Sequence, residues 1–147
     1  MHSSTVDITT PDGVANAYFA RPDDEPHPGV LFIIDAYGLR PTIEEMVDRI
    51  AADGYLVLAP NVFYRAGRSP VPPMPDMSDS ADRARFFQSL RPLMDELTPQ
   101  RIAADGGAYI DFCTTRGPRD RSRSPATAWA RASAGGSPLP IPTAWRR

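Results

Sequence analysis

The chain has 147 residues, long enough for one domain with a true core but shorter than many α/β enzymes of roughly 200–250 residues. Its net charge of −2 conceals a division: residues 1–112 carry 17 acidic residues against nine arginines, net −8, and residues 113–147 carry seven arginines against Asp120 alone, net +6. A single cysteine, Cys113, excludes an internal disulfide. The start MHSSTVDITT has neither a basic region nor a long apolar one, and the longest apolar run, Val30–Ile34, is too short to span a bilayer, so a cytoplasmic protein with no membrane partner is expected.

In chain order, VDITTPDGVANAYFARP alternates apolar and polar residues on both sides of Pro11-Asp12-Gly13, which predicts a β-hairpin with strands near 5–9 and 14–20. Residues 22–28 form an acidic loop. GVLFIID (29–35) is continuously apolar, the pattern of a strand buried on both faces of a parallel sheet. A helix is predicted over 42–53, starting at Pro41 or Thr42, with Glu44 and Glu45 in its first turn, Gly54 at its end and a stripe of Ile43, Met46, Val47 and Ile50. YLVLAP (55–60) completes a βαβ unit.

Residues 61–78 hold Pro70, Pro72, Pro73 and Pro75 and read as an extended loop near a pocket. A second helix starts at Ser78 or Ser80 and runs to about Arg91, where Pro92 breaks it. A third has Thr98 as its cap and Pro99 as its first residue; Gly106 and Gly107 within it are expected to allow close packing on the sheet. After Phe112 no apolar period survives. Five prolines interrupt residues 113–147, and composition predicts a disordered tail.

The hairpin TPDGVANAYFARP, the block GVLFIIDAYGLRPTIEEMVDRIAADGYLVLAPNVFYR and the helix RIAADGGAYIDF resemble the dienelactone hydrolase family, a branch of the α/β-hydrolases. The resemblance spans residues 1–112. It implies a truncated α/β-hydrolase fold: a hairpin, a βαβ unit and following helices, with 113–147 a non-homologous tail. It implies an ester hydrolase acting on small esters or lactones, with no cofactor, no metal and no nucleic-acid partner. It places an acidic residue, commonly Glu in the family, at Asp35 beside the nucleophile, and an oxyanion-hole N–H at Ala36. Asp35 could equally accept turn hydrogen bonds, and Tyr37 is either pocket wall or core. Arg65, Arg68, Arg83 and Arg85 are candidates for binding a substrate carboxylate, as arginines do in this family. His2 and His27 lie in a tail and a loop.

The family next requires a strand and a sharp G-x-C-x-G turn presenting a Cys nucleophile, then an Asp and a His. That motif is absent, and Cys113 in DFCTT has no flanking glycines and no later His. The tail offers a reason. Trp129 is encoded by TGG and Ala130 begins GC, so a frame one nucleotide earlier spells glycine there. In that frame Asp120–Arg131 can be read P-I-A-I-T-G-Y-C-M-G-A-R, a buried strand and a nucleophile elbow, and Ser137–Arg147 can be read I-A-A-A-Y-P-D-R-V-A-A. The tail is therefore expected to be an out-of-frame translation. Two rivals stand beside this. The Arg/Ser/Pro arm could bind nucleic acid, but it lacks Lys, RGG units and an aromatic platform. A truncated binding module would leave the strand at 30–34 with an unpaired apolar edge.

Overall fold

The computed structural model describes residues 1–71, 73, 75, 76 and 78–117. The hairpin is longer than its alternation predicts. β1 (His2–Thr10) and β2 (Gly13–Arg21) pair antiparallel from His2↔Arg21 to Thr10↔Gly13, turning on Pro11-Asp12. Gly13 takes φ +146°, which a side chain would strain, and Thr10 Oγ1 donates to its carbonyl at 2.9 Å. The hairpin opens a four-stranded mixed sheet of order β1-β2-β4-β3. β4 (Leu56–Pro60) pairs antiparallel with β2 and parallel with β3 (Gly29–Leu31).

β4 is buried along its whole length, and its pleat sorts the core. Leu56 and Leu58 join Ile8, Ala15, Ala17 and Phe19 on one face, under α3 (Pro99–Arg116). Val57 and Ala59 join Ala20 on the other, under α1 (Pro41–Ala52). The residues of α1 that reach the sheet are Ile43, Val47 and Ala51, at i, i+4 and i+8; Met46, expected in the stripe, lies on its flank and is exposed. α1 begins at Pro41, after Arg40 in extended conformation.

Further expectations change in β3, α2 and α3. β3 ends at Leu31, although the Phe32 N–H still donates to Leu58 O at 2.8 Å, and it is the sheet's last strand among the described residues. Its side chains are only half-buried, with Ile33 65% exposed, so the two-sided burial read from its apolar run is not realised. α2 (Ser80–Asp95) is capped by Asp79, whose carboxylate accepts from the Ala81 N–H at 2.8 Å, while Ser78 turns back to Asp76. It runs through Pro92, which removes one N–H from the helical ladder without ending it, and the Glu96 N–H closes on Pro92 O at 3.3 Å. α3 starts as predicted, with Thr98 Oγ1 accepting from the Arg101 N–H. It continues to Arg116, so residues 113–116, expected to belong to the tail, complete its last turn. Gly106 and Gly107 do not pack on the sheet: a Cβ at either would meet nothing within 4 Å among the described residues. The expectation of a disordered tail otherwise falls on 118–147, outside the described residues.

Candidate active site

The chain leaving β3 buries Ile34 and then turns at Asp35–Arg40. The Gly38 N–H donates to Asp35 O at 3.1 Å, and Gly38 adopts φ +78° with its α-carbon face against Val71, where a Cβ would come within 3.0 Å of the Val71 carbonyl oxygen. Both reasons demand glycine there. Asp35 closes the turn. Its Oδ1 accepts from the Tyr37 N–H at 3.0 Å and from Arg40 Nη1 at 2.6 Å, and its Oδ2 accepts from Arg40 Nη2 at 2.8 Å. This bidentate pair holds the Asp35 carboxyl below its ordinary pKa, with the backbone N–H of Tyr37 adding to the effect. Arg40, a residue the sequence reading did not single out, also donates to Gly38 O at 3.1 Å and lies over the Tyr37 ring.

Tyr37 stacks on Phe86 of α2, centroids 5.2 Å apart and planes within 10°, and both belong to a cluster with Phe63 and Leu90 that Ala36 touches. Tyr37 thus packs into this apolar cluster against α2. No acceptor among the described residues meets the Ala36 N–H. The segment after β4 braces the turn from the other side. Asn61, fully buried and missed in the sequence, donates to Asn16 Oδ1 and Gly67 O, each at 3.0 Å, and accepts from the Phe63 N–H. Ser69 Oγ then donates to Leu39 O at 2.7 Å. A cavity of about 140 Å³ opens beside this cluster among Val62, Phe63, Arg65, Leu93 and Leu97. It is smaller than the roughly 300–1,000 Å³ of most ligand pockets.

Arg65, Arg68 and Arg85 do not gather at this turn. Arg65 is spent between two carboxylates: Nη1 donates to Asp105 Oδ2 at 2.8 Å, and Nε and Nη2 donate to Asp12. Asp105 is buried and also accepts from the Tyr64 hydroxyl at 3.0 Å, so this set ties α3 to the hairpin and to the short 3-10 turn Tyr64–Ala66. Arg68 pairs with Asp7 at 2.9 Å and Arg85 with Asp82. Arg83 lies in the first turn of α2, its N–H on Asp79 O. His27 is engaged by Asp23. Cys113 is buried in the core of α3, packed where a Cβ on Gly29 would approach within 3.2 Å, and burial pushes its thiol up to about 11. Such a thiol is no nucleophile at neutral pH. Among the described residues no hydrogen bond joins a Ser, Thr or Cys side chain to a histidine, and no His/Cys/Asp/Glu group could hold a metal ion. No described helix is long and apolar enough to cross a membrane.

The sequence model of the Dienelactone hydrolase family matches residues 15–123. The chain belongs to that family. A Yersinia pestis protein provisionally named a carboxymethylenebutenolidase is 30% identical over 107 residues, 71% of this chain and 36% of that one. An Escherichia coli K12 protein of the same name is 38% identical over 76 residues, 50% of this chain and 25% of that one. The crystal structure of a provisionally named dienelactone hydrolase from Klebsiella pneumoniae superposes with a TM-score of 0.63 at 22% identity, covering 80% of this chain and 45% of that one, which shows the fold. The chain thus spans about a third of the length of the curated relatives and under half of the matched structure.

Proposed function

We propose that this chain carries the oxyanion-binding half of a carboxylic ester hydrolase for small esters or lactones, and that the attacking half lies on elements that residues 118–147 do not encode in the frame given. One observation carries the reading: at the C-terminal end of a parallel strand, Asp35 and Arg40 fix a tight turn in which the Ala36 N–H meets no acceptor among the described residues. A preorganised donor at that end of the sheet is what a developing alkoxide requires. In the intact enzyme a Cys thiolate adds to the ester carbonyl, whose oxygen becomes an oxyanion accepting from Ala36. Collapse expels the alcohol oxygen, which takes a proton from an imidazolium. Water, giving its proton to the same imidazole, then cleaves the thioester. Asp35 stands beside that donor, and its negative charge acts on the proton affinity of the nucleophile.

Arg65, clamped by Asp105 and Asp12, is not a substrate ligand on this reading. The intact last turn of α3 supports a frame change after Gly117 rather than at Phe112. The test is to sequence the gene there and to express the product of the shifted frame. It should contain G-x-C-x-G, followed by an Asp and a His, and should hydrolyse p-nitrophenyl acetate or a dienelactone. An early stop codon, or a product without that turn, overturns the reading.

A further inference from the structure

Two buried asparagines stand where the sheet meets the segment after β4. Beyond Pro60 the β2–β4 pairing makes one more bond, from the Asn61 N–H to Asn16 O at 2.9 Å. Ala15 and Ala17 of β2 point toward α3, and Tyr18 and Ala20 toward α1, so the pleat sends the Asn16 side chain to the α1 side. Asn16 is buried there, and Asn61 beside it is fully buried. Asn16 Oδ1 accepts twice, from Asn61 Nδ2 at 3.0 Å and from the Ser69 N–H at 3.2 Å. A buried amide without a partner is costly, so this pairing favours one course of residues 61–69 over all others.

Ser69 passes that placement on. Its Oγ donates to Leu39 O at 2.7 Å. The remaining hydrogen bonds of residues 35–39 stay within the turn or run to Arg40: Gly38 N–H to Asp35 O, Tyr37 N–H to Asp35 Oδ1, and Arg40 to Asp35 and to Gly38 O. Those bonds give the turn its shape. Among the described residues, the Ser69 bond is the one hydrogen bond that ties residues 35–39 to a different segment and so to a place on the sheet. Val71, two residues further on, lies against Gly38 and completes the contact.

We propose that Ser69 is a positioning residue for the oxyanion donor. Its N–H takes its place from the sheet through Asn16, its hydroxyl passes that place to Leu39, and the Ala36 N–H three residues earlier is held with it. The catalytic meaning of this link rests on the hydrolase reading, in which Ala36 is the donor; the link itself does not. A misplacement of about 1 Å at a reacting centre can cost about a hundredfold in rate, which is why a turn already shaped by Asp35 and Arg40 also needs anchoring.

NMR of the 147-residue chain tests the link through amide exchange and the Ala36 amide resonance. Ser69→Ala removes one oxygen at a half-buried position. It should speed exchange at Tyr37 and Gly38 by about fivefold or more, the scale of one lost hydrogen bond, and should move the Ala36 resonance. Exchange at Val57 and Leu58 in β4 should stay as in the wild type. The Asp35 carboxyl should also titrate as before, because its partners lie within the turn and Arg40. Ser69→Thr keeps the hydroxyl and should restore the wild-type behaviour at residues 36–38. Amides at 36–38 untouched by Ser69→Ala, exchange accelerated equally in β4, a displaced Asp35 titration, or no rescue by threonine would overturn the proposal. The hydrolase reading fails separately, on the product of the shifted frame, so the two failures are distinct.

Discussion

Removing the Asp105 carboxylate tests whether the network around Arg65 is the bolt between α3 and the hairpin. Asp105→Ala leaves the Tyr64 hydroxyl and two N–H groups of Arg65 without their acceptor, in a place where Asp105 is only 5% exposed. Breaking a buried ion pair from one side costs about 3–5 kcal/mol. The lower end applies here, because Arg65 keeps Asp12, through bonds of 3.0 and 2.7 Å. Alanine's better helix propensity returns about 0.5 kcal/mol. A net loss of about 2.5–3 kcal/mol lowers Tm by about 10 °C for a domain of this size. Thermal and urea unfolding followed by circular dichroism measure it. A double-mutant cycle with Arg65→Met sharpens the test, since the paired replacement should be less destabilised than the sum of the single changes by at least about 1 kcal/mol. A loss under about 1 kcal/mol for Asp105→Ala, or strict additivity in the cycle, would refute the buried-clamp reasoning.

Three further outcomes follow from individual side chains. A Cβ at Gly106 or Gly107 meets nothing among the described residues, so Gly106→Ala and Gly107→Ala should each stabilise the chain by about 0.5–1 kcal/mol in urea unfolding; destabilisation by either would mean that the site is filled. Cys113, with its thiol raised to about 11, should resist Ellman's reagent at pH 8 until the protein is unfolded, and labelling of the native protein within seconds would contradict its burial. Because the folded Asp35 carboxyl lies below its ordinary value, its contribution to stability is present above about pH 4 and is lost as pH falls through the lowered folded value. Half-exposure keeps that contribution below about 0.5 kcal/mol. Arg40→Gln should raise the Asp35 pKa toward the ordinary value in carboxyl carbon NMR, and an unmoved titration would mean that Arg40 is not its principal partner.

What the sequence made legible was local. Pro11-Asp12-Gly13 names its own turn, the apolar run at 55–60 marks the central strand, and Thr98-Pro99 announces α3, because caps and turns are satisfied within a few residues. The turn at 35–40 was placed on the resemblance. What holds it was not foreseen, since Arg40 read simply as the residue before a helix. The longer errors share a cause. Arg65 meets Asp105 forty positions away and Asn61 meets Asn16 forty-five positions away, pairings that no periodicity encodes. The apolar run at 29–35 reads as a strand buried on both faces, but among the described residues β3 pairs with β4 alone and its side chains stay half-exposed. Gly106 and Gly107 carry no sign of which side they face, and among the described residues nothing lies against them.

The most direct test of the half-site account is turnover by the chain itself. Purified and folded, the 147-residue protein should hydrolyse neither p-nitrophenyl acetate nor a dienelactone above the buffer rate, and Cys113→Ser should change nothing. Hydrolysis by the wild-type chain that Cys113→Ser abolishes would contradict the account, making Cys113 the nucleophile despite its burial.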